Sequence, residues 1–379
     1  MSFNGQLPYV GVLGGGQLGR MFIREAIDLG CYVSVMDPKD NAPCSLIAQN
    51  FRVGDITDYQ TVLDFGRQND VITIEIEAVN AAALKQLQEE GKTIRPSPQL
   101  IATIQDKGLQ KQFLHDNGFP TASFRLIRSK EEIANDPSSL PKVQKLRSGG
   151  YDGKGVQVLE DESDLQKAFD DPSVIEDKLP LKEELAIQVS RDGKGRISFF
   201  PPVGMKFYEG ANLLDYLYAP VSLSNRLRKK LEEIAVGIAE KSELEGILAI
   251  EFFLDHNDEL WVNEMAPRPH NSGHHTMQAN YTSQYGQLLR TLLDLPPGET
   301  GLHHAAVMVN LLGEEEHKGV ARIEGINKAM ELPRVFLNFY GKKETRPFRK
   351  MGHATVLGNT TEEALEKARL VKEHLKIKS

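Results

Sequence analysis

Short hydrophobic runs alternate with amphipathic segments along the first hundred residues. Residues 9–13, 32–36 and 71–77 are largely apolar, and the segments at 20–29 and 81–90 repeat hydrophobic residues with helical spacing. Strand-length runs separated by amphipathic helices are typical of parallel strands joined by crossover helices. The pattern therefore predicts an α/β unit with a parallel sheet at the start of the chain.

A glycine-rich turn follows the first of these strands. Residues 14–19 match G-x-G-x-x-G and Asp37 ends the next strand, as in a dinucleotide-binding fingerprint. The match alone is weak, because glycines before a helix N-terminus let backbone amides approach any phosphate. Glu75 and Glu77 share one face at the carboxyl end of the strand at 71–77, where open α/β sheets bind ligands. A solvated strand end is the alternative interpretation of these acids.

A second glycine-rich segment lies in the middle of the chain. Four of the seven residues at 149–155 are glycine, between strands predicted at 141–146 and 156–159, so their amides could fold over phosphates. A Walker A loop is excluded, because Lys154 is followed by Gly155 and no helix begins there. A flexible surface hairpin is the alternative. Asp106 can cap a helix that carries Lys107 and Lys111, and Lys145 lies on the strand before the loop.

Two apolar runs at 246–255 and 260–266 flank a polar turn and predict a β-hairpin. If the loop is residues 256–259, Asp255 faces Leu260 and Glu251 lies directly opposite Glu264. Facing carboxylates about 4.5–5.5 Å apart at Cβ are destabilising. They require a shared proton, with one pKa raised, or a divalent cation such as Mg²⁺. A bulge that offsets the register, with both acids merely solvated, is the alternative.

Histidines and basic residues mark two later segments. His270, His274 and His275 suggest a metal cluster, but the prolines and glycine around them indicate a loop, so zinc is disfavoured. The run at 342–349 holds four cations in eight residues of an acidic protein, which favours a phosphate site over a solvated basic turn. Strands at 306–311, 335–340 and 353–357 predict a last domain of mixed type.

Composition narrows the class of protein. A chain of 379 residues suggests two or three domains, and a net charge of −8 argues against nucleic-acid binding. Cys31 and Cys44 are the only cysteines, which makes a disulfide framework unlikely and a reducing cytoplasm the default. The start lacks a basic n-region and no apolar run approaches a membrane span, so we expect neither a signal peptide nor membrane association.

In this order the segments resemble the ATP-grasp superfamily, and within it the 5-(carboxyamino)imidazole ribonucleotide synthetase family. The motifs that carry the resemblance lie at residues 15–21, 149–155, 263–274 and 340–353. It implies a fold of α/β and α+β type with ATP-grasp architecture. The domains are expected at 1–100 (Rossmann-like), 101–298 (ATP-grasp, with a lid subdomain at about 115–180) and 299–379 (C-terminal).

The resemblance also implies an activity and its residues. The enzyme would be an ATP-dependent ligase that carboxylates 5-aminoimidazole ribonucleotide with bicarbonate, as a cytoplasmic homodimer. Mg²⁺ would bind Glu251 and Glu264, and catalysis would involve Asp152, Arg268, His270 and Lys342. ATP would contact Lys107, Lys145, Gly150, Tyr151, Asp152, Gly153, Lys154, Gly155, Val156, Glu176, Asp177, Lys178, Leu179, Glu184, Phe207, Asn263 and Glu264. The ribonucleotide would contact Gly15, Gln17, Leu18, Glu75, Tyr151, Arg268, His270, Asn271, Ser272, Lys342, Arg346 and Arg349.

One departure and three alternatives remain at this point. The family has an Asn and a His shortly after the strand at 197–200, where this chain has Lys206 and Tyr208, which leaves one nucleotide contact open. A formate-dependent glycinamide ribonucleotide transformylase shares the first glycine motif and an acidic hairpin. A dinucleotide-binding oxidoreductase would use the turn at 14–19 and Asp37. The third alternative is a nucleotide-binding module without catalytic activity.

Overall fold

A computed structural model describes residues 7–135, 140–150, 155–208 and 213–379. Its first part is an open parallel sheet with the strand order β3-β2-β1-β4-β5. The strands are β1 (Val10–Leu13), β2 (Val33–Asp37), β3 (Asn50–Val53), β4 (Val71–Ile74) and β5 (Thr93–Ile94), and the helices are α1 (Gln17–Asp28), α2 (Tyr59–Gly66) and α3 (Ala81–Glu89). Strands β1 and β4 are buried over their whole length, as continuous apolar runs of a parallel sheet require.

Two predicted boundaries in this first domain were wrong, the start of a helix and the end of a strand. Helix α1 begins at Gln17, three residues earlier than predicted, directly after the glycines. Strand β4 ends at Ile74, so Glu75 and Glu77 do not share a strand face. The neighbouring strand β1 ends at Leu13. Glu75 N–H still donates to Leu13 O, but β1 has no residue beyond Leu13 with which a longer β4 could pair.

A four-stranded antiparallel sheet follows, with the order β6-β9-β7-β8. Helices α4 (Pro98–Gln105) and α5 (Lys107–Asp116) lead into it, and Asp106 caps α5 through the amides of Gly108 and Leu109, as predicted. Its elements are β6 (Phe124–Ile127), α6 (Glu131–Ala134), β7 (Lys142–Leu146), β8 (Val156–Leu159), a 3₁₀ helix (Glu162–Lys167) and β9 (Ser173–Asp177). We call this sheet the lid sheet.

The largest sheet runs in the order β15-β14-β10-β12-β13-β16-β21-β19, with β11 on the side of β10. Its first strands are β10 (Leu181–Arg191), β11 (Ile197–Phe199), β12 (Val203–Phe207), β13 (Leu214–Ala219), β14 (Gly246–Asp255) and β15 (Leu260–Ala266). Helix α7 (Asn225–Lys241) packs its Leu231, Ala235 and Ile238 against β10 and β14 in one core.

The last part of the chain extends this same sheet. Strand β16 (Ala305–Leu312) pairs with β13 on one side and with β21 on the other. The remaining elements are a 3₁₀ turn (Asn271–Gly273), α8 (Thr276–Ala279), α9 (Gln284–Leu292), β17 (Gly319–Val320), β18 (Arg322–Glu324), α10 (Ile326–Glu331), β19 (Val335–Phe339), β20 (Glu344–Thr345), β21 (Lys350–Gly358), α11 (Thr361–His374) and β22 (Lys376–Lys378). The strands predicted for the last domain therefore lie in continuity with the acidic hairpin.

The N-terminal sheet and α9 share one hydrophobic core, which includes residues of β1 and α1 together with Tyr285 and Leu288. Arg95 reinforces this junction from a buried position, with ion pairs of 2.9 Å to both Glu245 and Asp294. The junction places the glycine-rich turn beside the loop that follows β15. Among the described helices, none has the length and apolar character needed to cross a bilayer.

Candidate active site

The acidic hairpin places Glu251 opposite Glu264, as predicted, but by a different route. Asp255 N–H donates to Glu259 O at 3.0 Å, which closes a loop of three residues rather than four, with Asp258 at φ 59°. Leu254, and not Asp255, therefore faces Leu260. A bulge between the turn and the glutamates adds the missing residue and restores the predicted pair.

The bulge also determines which side chains meet. Asn263 and Glu264 are consecutive, so regular alternation would send their side chains to opposite faces. At the bulge both reach lysines instead: Lys145 Nζ lies 2.8 Å from Asn263 Oδ1, and Lys107 Nζ lies 2.5 Å from Glu264 Oε2. The two strands and the two lysines form one charged corner between the lid sheet and the large sheet.

The two facing glutamates have opposite electrostatic environments. Burial and the charges of Glu264 and Glu184 raise the pKa of Glu251. The positive charges of Lys107 and Lys350 lower it again, but only in part. The Lys107 ammonium lowers the pKa of Glu264. The pair can therefore hold one proton on Glu251 at neutral pH, and a cation could take the place of that proton.

This chemistry fits a hard divalent cation. Mg²⁺ prefers one or two carboxylates and fills its other positions with water and substrate phosphates. In the described ranges, no group of three or more His, Cys, Asp or Glu side chains is arranged to hold a metal. A metal held by Glu251 and Glu264 would therefore complete its coordination with water or with phosphate oxygens of a bound nucleotide.

Behind the charged corner lies a buried ion network. Glu176 accepts contacts from Lys145 Nζ at 3.0 Å and Lys111 Nζ at 3.3 Å, and all three side chains are almost fully buried. Although burial opposes it, the two lysines lower the pKa of Glu176. Burial lowers the pKa of Lys111 to about 8. Glu176 thus offsets the charge of Lys145, which keeps Asn263 as a second partner.

The other residues predicted to contact ATP are distributed around this corner. Burial raises the pKa of Glu184, on β10, to about 7, and Phe207 pairs with Leu214 at the end of β12. Asp177 pairs with Lys142, Lys178 pairs with Glu160, and Leu179 follows the end of β9. Gly155 O accepts from Leu146 N at 2.8 Å, Val156 begins β8, and Gly150 is partly buried. Tyr151, Asp152, Gly153 and Lys154 lie outside the described residues.

Lys206 and Tyr208 contact other groups of the chain. Lys206 Nζ lies 3.4 Å from Glu183 Oε1, and the Tyr208 ring centroid lies 4.9 Å from Lys372 Nζ. Neither observation shows a replacement for the family's Asn and His.

Two acids of the chain fill the glycine-rich turn. Gly15 N–H donates to Asp37 Oδ2 at 2.7 Å, and Leu18 N–H donates to Glu75 Oε1 at 3.0 Å. A Cβ at Gly16 would lie only 2.4 Å from Glu75 Oε1, so glycine is needed for this close approach. Burial raises the pKa of Glu75 to about 7. Two amides that could approach a dinucleotide phosphate therefore have carboxylate partners, and the negative charge of these acids argues against the oxidoreductase.

Arg268 connects this turn to the acidic hairpin. Its Nη2 lies 2.9 Å from Glu77 Oε1, and its charge stabilises ionised Glu75. Its Nε is buried and has no hydrogen-bond partner among the described residues, so it could donate to a ligand. Beside it, His270 Nδ1 lies 3.6 Å from Glu251 Oε1 and 3.0 Å from Ser272 Oγ.

Only part of the basic run at residues 342–349 lies near the glycine-rich turn and Arg268. Lys342 Nζ donates to Lys350 O at 2.7 Å and is close enough to Glu75 to lower its pKa. Arg349 Nη1 donates to Glu344 O at 2.6 Å, within its own loop, and Arg346 is exposed. Of the remaining ribonucleotide candidates, Gln17 is the first residue of α1. Asn271 Oδ1 is buried and accepts no hydrogen bond from the part of the chain that the structure describes.

The histidines do not form a cluster of ligands. The rings of His274 and His353 stack in the interior with centroids 4.6 Å apart. Burial lowers the pKa of His275 to about 4, so its ring is neutral in the interior, whereas His270 faces Glu251.

Sequence reasoning missed several residues of this region. The sequence indicates only the spacing of Glu77 from Glu75, yet Glu77 forms an ion pair with Arg268. It places Lys111 on a helix and Lys350 within a motif, but it does not indicate that Lys111 pairs with Glu176 or that the charge of Lys350 reaches Glu251. No local pattern signals these three contacts, because each joins segments that are distant along the chain.

Known proteins share this whole arrangement. A ribonucleotide synthetase preATP-grasp domain matches residues 7–105, an ATP-grasp domain matches residues 112–285, and a phosphoribosylaminoimidazole carboxylase C-terminal domain matches residues 306–367. The N5-carboxyaminoimidazole ribonucleotide synthase of Synechococcus elongatus is 39% identical over 92% of this chain and 89% of its own length. That of Bacillus subtilis is 33% identical over 94% of this chain and 93% of its own length.

Solved structures agree with these matches. The N5-carboxyaminoimidazole ribonucleotide synthetase of Thermotoga maritima has a TM-score of 0.89 and 40% identity, covering 98% of this chain and 100% of its own. The Aspergillus clavatus enzyme in complex with ADP and 5-aminoimidazole ribonucleotide has a TM-score of 0.87 and 30% identity, covering 97% and 98%. The chain therefore belongs to the N5-carboxyaminoimidazole ribonucleotide synthase family of ATP-grasp ligases, with the ATP-grasp fold expected from its motifs.

Proposed function

We propose that this enzyme carboxylates the amine of 5-aminoimidazole ribonucleotide with bicarbonate at the expense of ATP, giving N5-carboxyaminoimidazole ribonucleotide, ADP and phosphate in purine biosynthesis. The observation that carries the proposal is the facing pair Glu251 and Glu264 beside Lys107 and Lys145. The family matches, and the complex of a relative with ADP and the ribonucleotide, support the same assignment.

The charged corner would bind the nucleotide phosphates. Lys107 and Lys145 neutralise the transferring phosphoryl group, and Lys107 exchanges Glu264 for a phosphate oxygen as the nucleotide enters. Mg²⁺ bound by Glu251 and Glu264 would polarise the phosphoryl oxygens and neutralise the charge that develops on them. Bicarbonate oxygen then attacks the γ-phosphorus, the bond to ADP breaks, and carboxyphosphate forms.

The second half of the reaction would occur nearer the glycine-rich turn. Carboxyphosphate releases CO₂ and phosphate, and the exocyclic amine attacks CO₂ and loses a proton. Arg268 and Lys342 stabilise the anions, and His270, beside Glu251, is suited to proton transfer. Asp152 remains a further candidate for proton transfer. Since carboxyphosphate hydrolyses readily, the segment around Gly150 to Val156 must exclude water while it exists.

The ribonucleotide would lie between the glycine-rich turn and Arg268. Gly15, Gln17, Leu18 and Glu75 provide one wall, and the loop with His270, Asn271 and Ser272 provides the opposite wall. Arg346 and Arg349 are assigned to the ribonucleotide phosphate. We further propose that the domains divide at about residues 100 and 298, and that the enzyme acts in the cytoplasm as a homodimer.

An ADP-release assay tests the proposal. We expect ADP release to require both bicarbonate and 5-aminoimidazole ribonucleotide. Formate with glycinamide ribonucleotide should give no release above background, since the match at residues 306–367 favours the carboxylating branch. Formate-dependent release of ADP would overturn the assignment in favour of the transformylase.

A further inference from the structure

A buried glutamine holds the backbone of His270. Gln284, the first residue of α9, is fully buried. Its Oε1 accepts from His270 N–H at 2.9 Å, and its Nε2 donates to His270 O, also at 2.9 Å. The amide therefore satisfies both backbone polar groups of one residue, as a neighbouring strand would do.

The loop that carries His270 has little structure of its own. It leaves β15 through Pro269 and forms only the short 3₁₀ turn Asn271–Gly273. A Cβ at Gly273 would lie 2.4 Å from Gln284 Oε1, so a glycine is required where the loop passes over the glutamine. Gln284 N–H donates to Thr276 Oγ1 at 2.8 Å, and Ser283 caps α9. The glutamine is thus anchored by a helix, and the loop is anchored by the glutamine.

The imidazole of His270 is held by Ser272 of the same loop, whose N–H donates to Nδ1 at 3.4 Å. Its Nδ1 lies 3.0 Å from Ser272 Oγ and faces Glu251 at 3.6 Å. Ser272 is held in turn by Gln188 Nε2 at 3.2 Å. A backbone displacement of about 1 Å can cost a hundredfold in rate when it moves a reacting group.

We propose that Gln284 is a positioning residue for His270, whose amide aims the imidazole at Glu251 and the bound ribonucleotide. This inference rests on the proposed role of His270. Gln284 itself is buried behind the loop, so it acts through His270 and not on the substrate.

Gln287 offers a matched control on the same helix. It is equally buried, and its amide also makes two bonds of 3.0 Å, to Ser190 Oγ and from Gly298 N–H, away from the loop. We expect Gln284→Leu to lower kcat by about 30-fold with the KM for ATP unchanged, because the buried His270 N–H loses its partner and His270 O keeps only the N–H of Gly273. Both substitutions should lower Tm by similar amounts, because each removes a buried amide. Gln287→Leu, however, should leave kcat within about threefold of the parent enzyme.

A second variant covers the case in which Gln284→Leu does not fold. Gln284→Glu keeps an acceptor for His270 N–H but, when ionised, lacks the donor for His270 O. Its activity relative to the parent enzyme should therefore rise as the pH falls and the carboxyl group regains a proton. An activity below that of the parent enzyme whose ratio to the parent does not change with pH would overturn the proposal, since the proton should restore the donor to His270 O and with it the direction of the imidazole.

Two measurements separate this inference from the role of His270. If His270→Ala retains full activity, the proposed function of His270 fails. Hydrogen exchange of the segment 268–275 then still reports the anchor, and it should be faster in Gln284→Leu than in Gln287→Leu. If His270→Ala has a lower kcat than the parent enzyme, the double variant His270→Ala/Gln284→Leu should have the same kcat as His270→Ala alone. Additive losses, or unchanged exchange in Gln284→Leu, would overturn the positioning role.

Discussion

The glycine-rich turn and the acidic hairpin both place carboxylates where a ligand is expected, but the partners of those carboxylates differ. In the turn, Asp37 and Glu75 accept from the fixed backbone amides of Gly15 and Leu18. In the hairpin, Glu264 accepts from the side chain of Lys107. Backbone amides cannot move away from a carboxylate, whereas a lysine on a flexible stem can exchange it for a phosphate. We therefore call the turn with Asp37 and Glu75 the fixed wall, because its carboxylates are held by the backbone. We call Glu264 with Lys107 the exchangeable site, because the lysine can leave the carboxylate for a phosphate.

The largest expected effect comes from breaking the exchangeable site. Glu264→Gln removes one ligand charge and the partner of Lys107, so ADP release should fall by about a thousandfold. Glu259→Gln is the control, because Glu259 lies on the same hairpin and pairs with Lys230 at the surface. Glu264→Gln with more than a tenth of the parent activity would exclude the metal assignment.

A smaller effect is expected where the two regions meet. Glu77→Gln removes the charged partner of Arg268, so we expect the KM for the ribonucleotide to rise about tenfold, with the KM for ATP unchanged. Glu90→Gln, which loses a surface ion pair with Arg67, is the control and should change neither constant. Equal effects on both substrates would show that Arg268 does not distinguish the two regions.

The fixed wall should respond through stability and its dependence on pH. Burial raises the pKa of Glu75 from 4.5 to about 7. Between those values the folded protein binds more protons than the unfolded one, so this group costs stability as the pH rises through the window. Glu75→Gln removes that cost and should raise Tm by about 2–4 °C at pH 8, with no gain at pH 4.5. Calorimetry of the parent protein and of Glu75→Gln at both pH values measures this difference in Tm. A rise in Tm at pH 4.5 alone would contradict the prediction.

The smallest expected effect is the absence of a response to dinucleotides. NADH titrated into the protein should show no saturable change in fluorescence, because Asp37 and Glu75 already accept from the amides of the turn. Addition of ADP with Mg²⁺ serves as the positive control by its effect on Tm. Saturable NADH binding would show that these carboxylates can leave the turn.

Much of the fold followed from the sequence because its patterns are local. Apolar runs of strand length predicted β1, β2 and β4, and Asp106 predicted the start of α5. The end of β4 was wrong because it depends on how far β1 extends beside it. Tyr151 to Lys154 lie outside the described residues, so their predicted contacts with ATP stay predictions.

The hairpin that carries Glu251 and Glu264 could be predicted from the residues alone, because the two apolar runs and the polar turn between them are neighbours along the chain. The bulge that compensates for a shorter turn, and the contact of Lys107 with Glu264, 157 residues away along the chain, emerge only from the folded structure. The same is true of the two hydrogen bonds by which Gln284 holds His270. Contacts of this kind arise from the packing of whole elements against one another, which no local spacing of residues records.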